Sequence, residues 1–352
     1  MPVTNVSQDP QALTMTVVAD FPVSVRRLWD AYVDPRQIEK FWGPVEWPAT
    51  FTRHDVYPGG ESHYYMTGPD GERSGGWFEY LAVDEGRSFE VLDGFAREDG
   101  TRDPESPVMR MVFEFEETST ETGTGSRLIN TTYFNSAEEL EQILGMGMEE
   151  GLLSAMSQID DVVADLQSFA AGRAVDTQLI GDNQARMSRV IRGPVEEVWR
   201  AHHEPELLRR WQLGPDGWTM PVCEVGTSVG DTYRFVWEKA DAGKDAGNDG
   251  GERFGFTGTV LESAPPHREV TTEAMIDGDT NSGDMNGGDM NGGENTSTTN
   301  EMTLTSVEGG TLLSLLVTYP NAELRETILA TGMADGMESS YARLESEVLA
   351  AL

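Results

Sequence analysis

The sequence carries one cysteine, Cys223, and three lysines, Lys40, Lys239 and Lys244, in 352 residues. A single thiol excludes any internal disulfide, and a cytoplasmic location is the expectation that fits it best. No apolar run approaches the ~20 residues that a membrane helix needs. The opening residues, MPVTNVSQDP, lack both the basic start and the apolar stretch of a secretory signal. Cations are scarce: 25 Lys and Arg face 61 Asp and Glu, a net charge of −36. The excess is even along the chain, with 31 acidic and 12 basic side chains in residues 1–175 and 30 and 13 in residues 176–352, so it is not a tail. A surface of this sign repels phosphate backbones and anionic membranes, which argues against nucleic acid or membrane as a partner. A basic protein partner is compatible with it, although solubility in salty surroundings explains the charge more simply.

Motifs that carry catalysis or metal binding are also missing. His202 and His203 are adjacent, so on a helix they diverge by about 100°, and no HExxH or second cysteine accompanies them. His54 and His63 have no spaced carboxylate partner. Cys223 has no activating neighbour, no serine sits in a nucleophile elbow, and none of the 38 glycines forms a phosphate-binding or dinucleotide fingerprint. The Asp/Asn/Gly words of residues 277–295 fit neither an EF-hand nor a glycine-rich calcium repeat. No catalytic residue, metal or cofactor is therefore expected.

What the chain does have is a long repeat. LWDAYVDPRQIEKFWGP (Leu28 to Pro44) is answered by VWRAHHEPELLRRWQLGP (Val198 to Pro215). Trp29 and Trp199 are 170 residues apart, as are Pro35 and Pro205. Residues 58–71 and 229–243 then correspond, as do 76–91 and 255–270. A period this long means duplicated domains rather than a solenoid. The expected division is domain 1 over 1–170, a linker over 171–183 and domain 2 over 184–352.

Each copy predicts an alternating strand (14–19; 185–191), a helix opened by Pro22-Val23-Ser24 or Gly193-Pro194, and a break at Asp34-Pro35 or Glu204-Pro205. β-rich runs follow. Met111, Phe113 and Phe115 alternate with Arg110, Val112 and Glu114, as in a strand with one covered face. A long closing helix is expected over 137–169 and 322–352, where Leu140, Leu144, Ile159, Val163 and Leu166 share one face. Residues 277–299 and 241–251 are too poor in apolar groups to order and are expected to be disordered loops. The fold class is α+β, with two antiparallel sheets each covered by its closing helix.

These words resemble the Hsp90-ATPase-activator-like branch of the START-like, helix-grip superfamily. The resemblance rests on Trp29, Ala31, Asp34-Pro35 and Trp42-Gly43-Pro44 in the first copy, and on Trp199, Ala201, Glu204-Pro205, Trp211 and the displaced Gly214-Pro215 in the second. Pro58-Gly59-Gly60 and Gly68-Pro69-Asp70-Gly71 match its turns, and Gly258 through Pro265-Pro266 to Arg268 matches a further one. The first copy departs there, keeping Arg87 and losing both prolines. The resemblance implies a curved sheet wrapped on a long helix with a cavity between them. Its members include ligand carriers, polyketide cyclases, lipid-transfer modules and Hsp90 activators, so the fold does not by itself choose a function.

Within that frame, Gly147, Gly151 and Ala155 recur every four residues on the closing helix, and Gly332, Gly336 and Ser340 repeat the spacing. Glycine inside a helix costs up to ~1 kcal/mol against alanine, so the stripe either leaves room for a ligand or lets helix and sheet approach closely. Met146, Met148 and Met156 offer an adaptable apolar lining. Tyr65, Trp77, Phe113 and Tyr133 in domain 1, and Phe235, Trp237 and Phe256 in domain 2, are the candidate opposite wall, with ordinary core packing as the competing reading. Trp29 and Trp199 read as structural. The favoured expectation is a non-enzymatic binder of a small apolar or aromatic molecule, with domain 1 the better candidate. A co-chaperone-like interaction module stands second and a cyclase or dehydratase third. Packing of the two copies against each other is also expected.

Overall fold

The computed structural model describes residues 2–97, 99–120, 123–165, 174–214, 217–239, 252–276 and 296–351. The chain divides into two compact units, Met1–Phe169 and Ala170–Leu352.

The first unit runs β1 (Val3–Asp9), β2 (Thr14–Phe21), α1 (Val25–Val33), α2 (Pro35–Ile38), β3 (Ala49–His54), β4 (Glu61–Thr67), β5 (Arg73–Asp84), β6 (Ser88–Ala96), β7 (Val108–Thr120), β8 (Gly123–Tyr133), α3 (Ala137–Gly145) and α4 (Met148–Ala164). Its sheet has the order β1-β2-β8-β7-β6-β5-β4-β3, antiparallel throughout. The second unit repeats this element for element: β9 (Asp176–Ile180), β10 (Gln184–Ile191), α5 (Val195–His203), α6 (Pro205–Trp211), β11 (Trp218–Glu224), β12 (Thr232–Lys239), β13 (Arg253–Ala264), β14 (Arg268–Ile276), β15 (Thr298–Val307), β16 (Gly310–Thr318), α7 (Ala322–Leu329) and α8 (Met333–Arg343). A π-helical segment, Leu344–Val348, extends α8. Its sheet order, β9-β10-β16-β15-β14-β13-β12-β11, is that of the first unit.

Local chemistry explains the helix boundaries. The Ser24 hydroxyl accepts from the Arg27 amide and opens α1. Pro35 cannot continue that helix, and Asp34 instead caps α2 by accepting from the Arg36 amide. Glu204 and Pro205 make the same break between α5 and α6.

Three expectations need correction. Residues 176–180, assigned to a linker, form β9, which pairs with β10; β1 is its unforeseen counterpart. Both are short polar segments that alternate poorly and gain their order from the neighbouring strand. The closing helices are not continuous. Gly147 and Gly332 adopt φ +88° and +83°, a left-handed conformation that costs glycine little, and each separates a short helix from the longer one after it. Thr298 and Thr299, given to the disordered loop, open β15. The rest of that loop, 277–295, lies outside the described residues, as do 241–251, Pro215, Leu166 and the end of the first predicted closing helix.

One face of each sheet packs on the helices. In domain 1 this inner face carries Met15, Val17, Ala19, Phe51, Phe78, Tyr80, Phe89, Val91, Met111, Phe113 and Phe115, all buried. Trp29 of α1 meets Phe89 and Phe115 edge-on at 5.9 and 5.2 Å, so it is a core residue.

Candidate functional site

The two units can be compared row by row. Val17, Asn130, Phe113 and Phe89 lie directly cross-strand in domain 1, and Met187, Leu315, Met302 and Glu269 form the same row in domain 2. Four residues further along, Asp93 on β6 and Glu273 on β14 therefore hold equivalent positions, opposite Met109 and Thr298.

The space between helix and sheet is filled differently in the two copies. In domain 2, Arg189 reaches inward from β10 with its side chain only 2% exposed and pairs with Glu338 and Glu345 at 2.9 Å each. Tyr341 of α8 stacks on Trp211 at 5.8 Å beside it. His203 stacks on Trp199 at 3.9 Å and pairs with Glu269 at 3.1 Å. Domain 1 has Ala19 where domain 2 has Arg189, by the 170-residue spacing of the first strands and helices. By the 185-residue spacing of the closing helices, Leu153, Met156 and Asp160 stand where Glu338, Tyr341 and Glu345 do. No ion pair replaces the Arg189 cluster among the described residues of that wall.

A Cβ built on Gly151 meets nothing within 4 Å, as at its counterpart Gly336, but Ala155 one turn later is buried. Gln158 hydrogen-bonds the Gly43 carbonyl at 2.9 Å, tying α4 to the loop that carries Trp42. Trp42 packs edge-on against Phe78 at 5.0 Å and lies 6.1 Å from Tyr64, while Tyr64 stacks on Phe51. Trp42, Tyr64, Met66 and Asp93 each keep part of their surface open on this otherwise buried face. Tyr64 lies flat over Gly76, where any side chain would collide with its ring.

Asp93 is the polar member of this wall. Its cross-strand neighbours are Phe78 and Met109, and it makes no hydrogen bond to any described residue. Burial among apolar groups pushes its carboxyl up to about 7, so it is largely uncharged below neutral pH. Glu273 is likewise pushed up by burial, but it is held internally by the Asn300 amide, with the Tyr233 hydroxyl, bonded to the Thr272 carbonyl at 2.9 Å, lying 3.4 Å from it. Deeper in domain 1, the side-chain polar atoms of Asn130 and the Thr132 hydroxyl are fully buried without a partner among the described residues.

The residues expected to line the cavity divide between the two faces. Phe113 is on the inner face and 1% exposed. Phe235, Trp237 and Phe256 are also inner, with Trp237 5% exposed, and they pack on the α5, α6 and α8 core. Met148 is the first residue of α4, and Met156 is buried. Tyr65, Trp77 and Tyr133 face the other way. They lie on the outer face of the sheet, each under an arginine: Arg73 at 4.2 Å, Arg102 at 3.9 Å and Arg110 at 3.8 Å. Met146 is 64% exposed, Gly336 is exposed over open space, and Gly147 and Gly332 are helix caps, so the small-residue stripe is broken. Asp93 continues the inward alternation of Phe89 and Val91 along β6. Its signal was the period of two.

None of the described side chains forms a group of three or more His, Cys, Asp or Glu placed to hold a metal. His54 is engaged by Ser62 at 2.8 Å and the Tyr32 carbonyl at 2.9 Å. Cys223 is buried, and burial pushes its thiol up, away from reactivity. No described helix is long and apolar enough to cross a membrane.

The model of the activator of Hsp90 ATPase homolog 1-like protein family matches residues 22–164 and again 192–348. The chain belongs to this family, with two copies of its domain in tandem. No curated protein matches it. Among solved structures, a protein of Mycobacterium smegmatis is 47% identical over 46% of this chain and 98% of its own, with a TM-score of 0.42. One from Arthrobacter aurescens is 38% identical over 47% and 94%, at 0.43. A Rhodobacter sphaeroides protein is 29% identical over 51% and 100%, at 0.42. Each of these relatives spans about half of the activator-like chain described here.

Proposed function

We propose that domain 1 is a non-catalytic binding site for a small apolar or aromatic molecule, held between α4 and the inner face of the sheet. The observation that carries this reading is the contrast between the copies. The side chains that fill domain 2, Arg189, Glu338 and Tyr341, are replaced in domain 1 by Ala19, Leu153 and Met156. On the inner wall of domain 1, part of Trp42, Tyr64 and Asp93 stays uncovered. Pockets of this kind take most of their affinity from apolar contact and their orientation from one or two polar groups. Domain 2 then serves as the self-filled copy.

Native mass spectrometry of the intact chain, with displacement of the neutral dye N-phenyl-1-naphthylamine, tests this. A bound mass or saturable displacement is expected; dye that stays free at every protein concentration would overturn it.

The family also supports a co-chaperone-like reading, with the charge of −36 available to a basic partner. Stimulation of a chaperone ATPase that fades with salt would favour that reading over a carrier.

A further inference from the structure

The two copies place a carboxyl at the same point of the inner wall, but only domain 2 satisfies it from within. Glu273 is met by the Asn300 amide, and the Tyr233 hydroxyl, which donates to the Thr272 carbonyl at 2.9 Å, lies 3.4 Å from it, with the Tyr233 ring over Gly258. In domain 1 the residue level with Asn300 is Met111, which has no donor. Ser62, Phe78 and Asp93 lie in one cross-strand row. The Ser62 hydroxyl is engaged by His54 at 2.8 Å and Tyr80 at 3.2 Å, and the Phe78 ring carries no hydroxyl. The ring that domain 2 supplies is thus present in domain 1 without its hydroxyl, and the Tyr64 phenol, pushed up by burial and then by the nearby Asp93 charge, makes no hydrogen bond to that carboxyl. A carboxyl beside Phe78, Tyr64 and Met109, with part of its surface open and no bond to any described residue, is one that an occupant of this space must meet.

We propose that Asp93 is the polar anchor of the domain 1 pocket and takes the hydroxyl of an otherwise apolar aromatic ligand, the ligand standing where the Asn300 amide stands against Glu273 in domain 2. This rests on the pocket reading given above. The ligand class is a small hydroxylated aromatic, its rings against Trp42, Tyr64 and Phe78 and its O–H donating to the Asp93 carboxyl. A carboxyl in an apolar wall discriminates strongly, because a ligand without a donor leaves it unpaired.

The test is competition against N-phenyl-1-naphthylamine on the full chain at pH 7, comparing naphthalene, 2-naphthol and 2-naphthylmethylamine. The native chain should bind 2-naphthol roughly tenfold more tightly than naphthalene, the worth of about one buried hydrogen bond. Asp93→Leu should bind the two equally, with naphthalene undiminished, which also shows that the variant is folded. Asp93→Asn, whose amide oxygen still accepts, should restore part of the preference. The inference is overturned if the preference survives Asp93→Leu, or if the native chain binds naphthalene but does not favour 2-naphthol. It is also overturned if the amine is preferred, since the carboxyl then recognises a cation. Failure of all three probes to bind overturns the pocket reading and the anchor together.

Discussion

Asp93 and Glu273 occupy one register position in two copies of a sheet, and only Glu273 is held by side chains of its own domain. Around that difference the copies have diverged in how they fill the space beneath the closing helix. Domain 2 uses Arg189, Tyr341 and two glutamates; domain 1 has Ala19, Leu153, Met156 and Asp160 at the corresponding positions, with no arginine among them.

Asp93 also sets a pH dependence. Its folded pKa of about 7 lies above the unfolded carboxylate value of ~3.9, so the neutral form stabilises the fold below pH ~4 and that contribution is lost as pH rises toward 7. Urea unfolding at pH 4.5 and 8 should show Asp93→Asn losing less stability over this interval than the native chain does. An unchanged difference between the two pH values would contradict it.

His202 gives domain 2 the opposite slope. Burial pushes its imidazole down to about 4, so its contribution is present above the unfolded value of ~6.5 and is lost as pH falls through 4. Replacing His202 with Phe should flatten the acid side of the stability profile. A profile as steep as the native one would show that His202 does not set it.

Two glycines four residues apart should respond to alanine with opposite signs. Gly147 has φ +88°, where a Cβ is strained, and Gly147→Ala should destabilise domain 1 by about 1 kcal/mol. Gly151 is helical with nothing near its Cβ position, and Gly151→Ala should stabilise it by roughly 0.5–1 kcal/mol. Thermal unfolding of both variants checks this; equal effects would deny the helix break.

Truncating Arg189 to Ala should leave Glu338 and Glu345 facing each other without their shared cation. A cost of about 2–4 kcal/mol is expected, at the lower end because Glu338 is partly exposed. Hydrogen exchange should show α8 losing protection while α4 does not. Equal loosening of both helices would argue against an ion cluster confined to domain 2.

Much of this was readable from residues alone. The repeat, the Asp34-Pro35 and Glu204-Pro205 breaks and the β7 alternation of Met111, Phe113 and Phe115 all follow from local rules that tertiary packing did not override. The lining was less readable, because β4 and β5 carry aromatics on both faces. Tyr64 is inward beside Tyr65 outward, and Phe78 is inward beside Trp77 outward. Arginine stacking makes an outward aromatic as buried as an inward one, as Trp77 at 4% exposure shows. The glycine spacing was equally ambiguous, since a helix cap and a gap in packing are written with the same residue. Asp93 was one acid among 61, distinguishable only by its parity with Phe89 and Val91.

The most direct measurement is the stoichiometry of N-phenyl-1-naphthylamine binding to the full chain and to Gly151→Leu, which fills the open space beside α4. One site per native chain, abolished or much weakened in Gly151→Leu, is the result this account predicts. Two equivalent sites, or one that Gly151→Leu leaves intact, would contradict it.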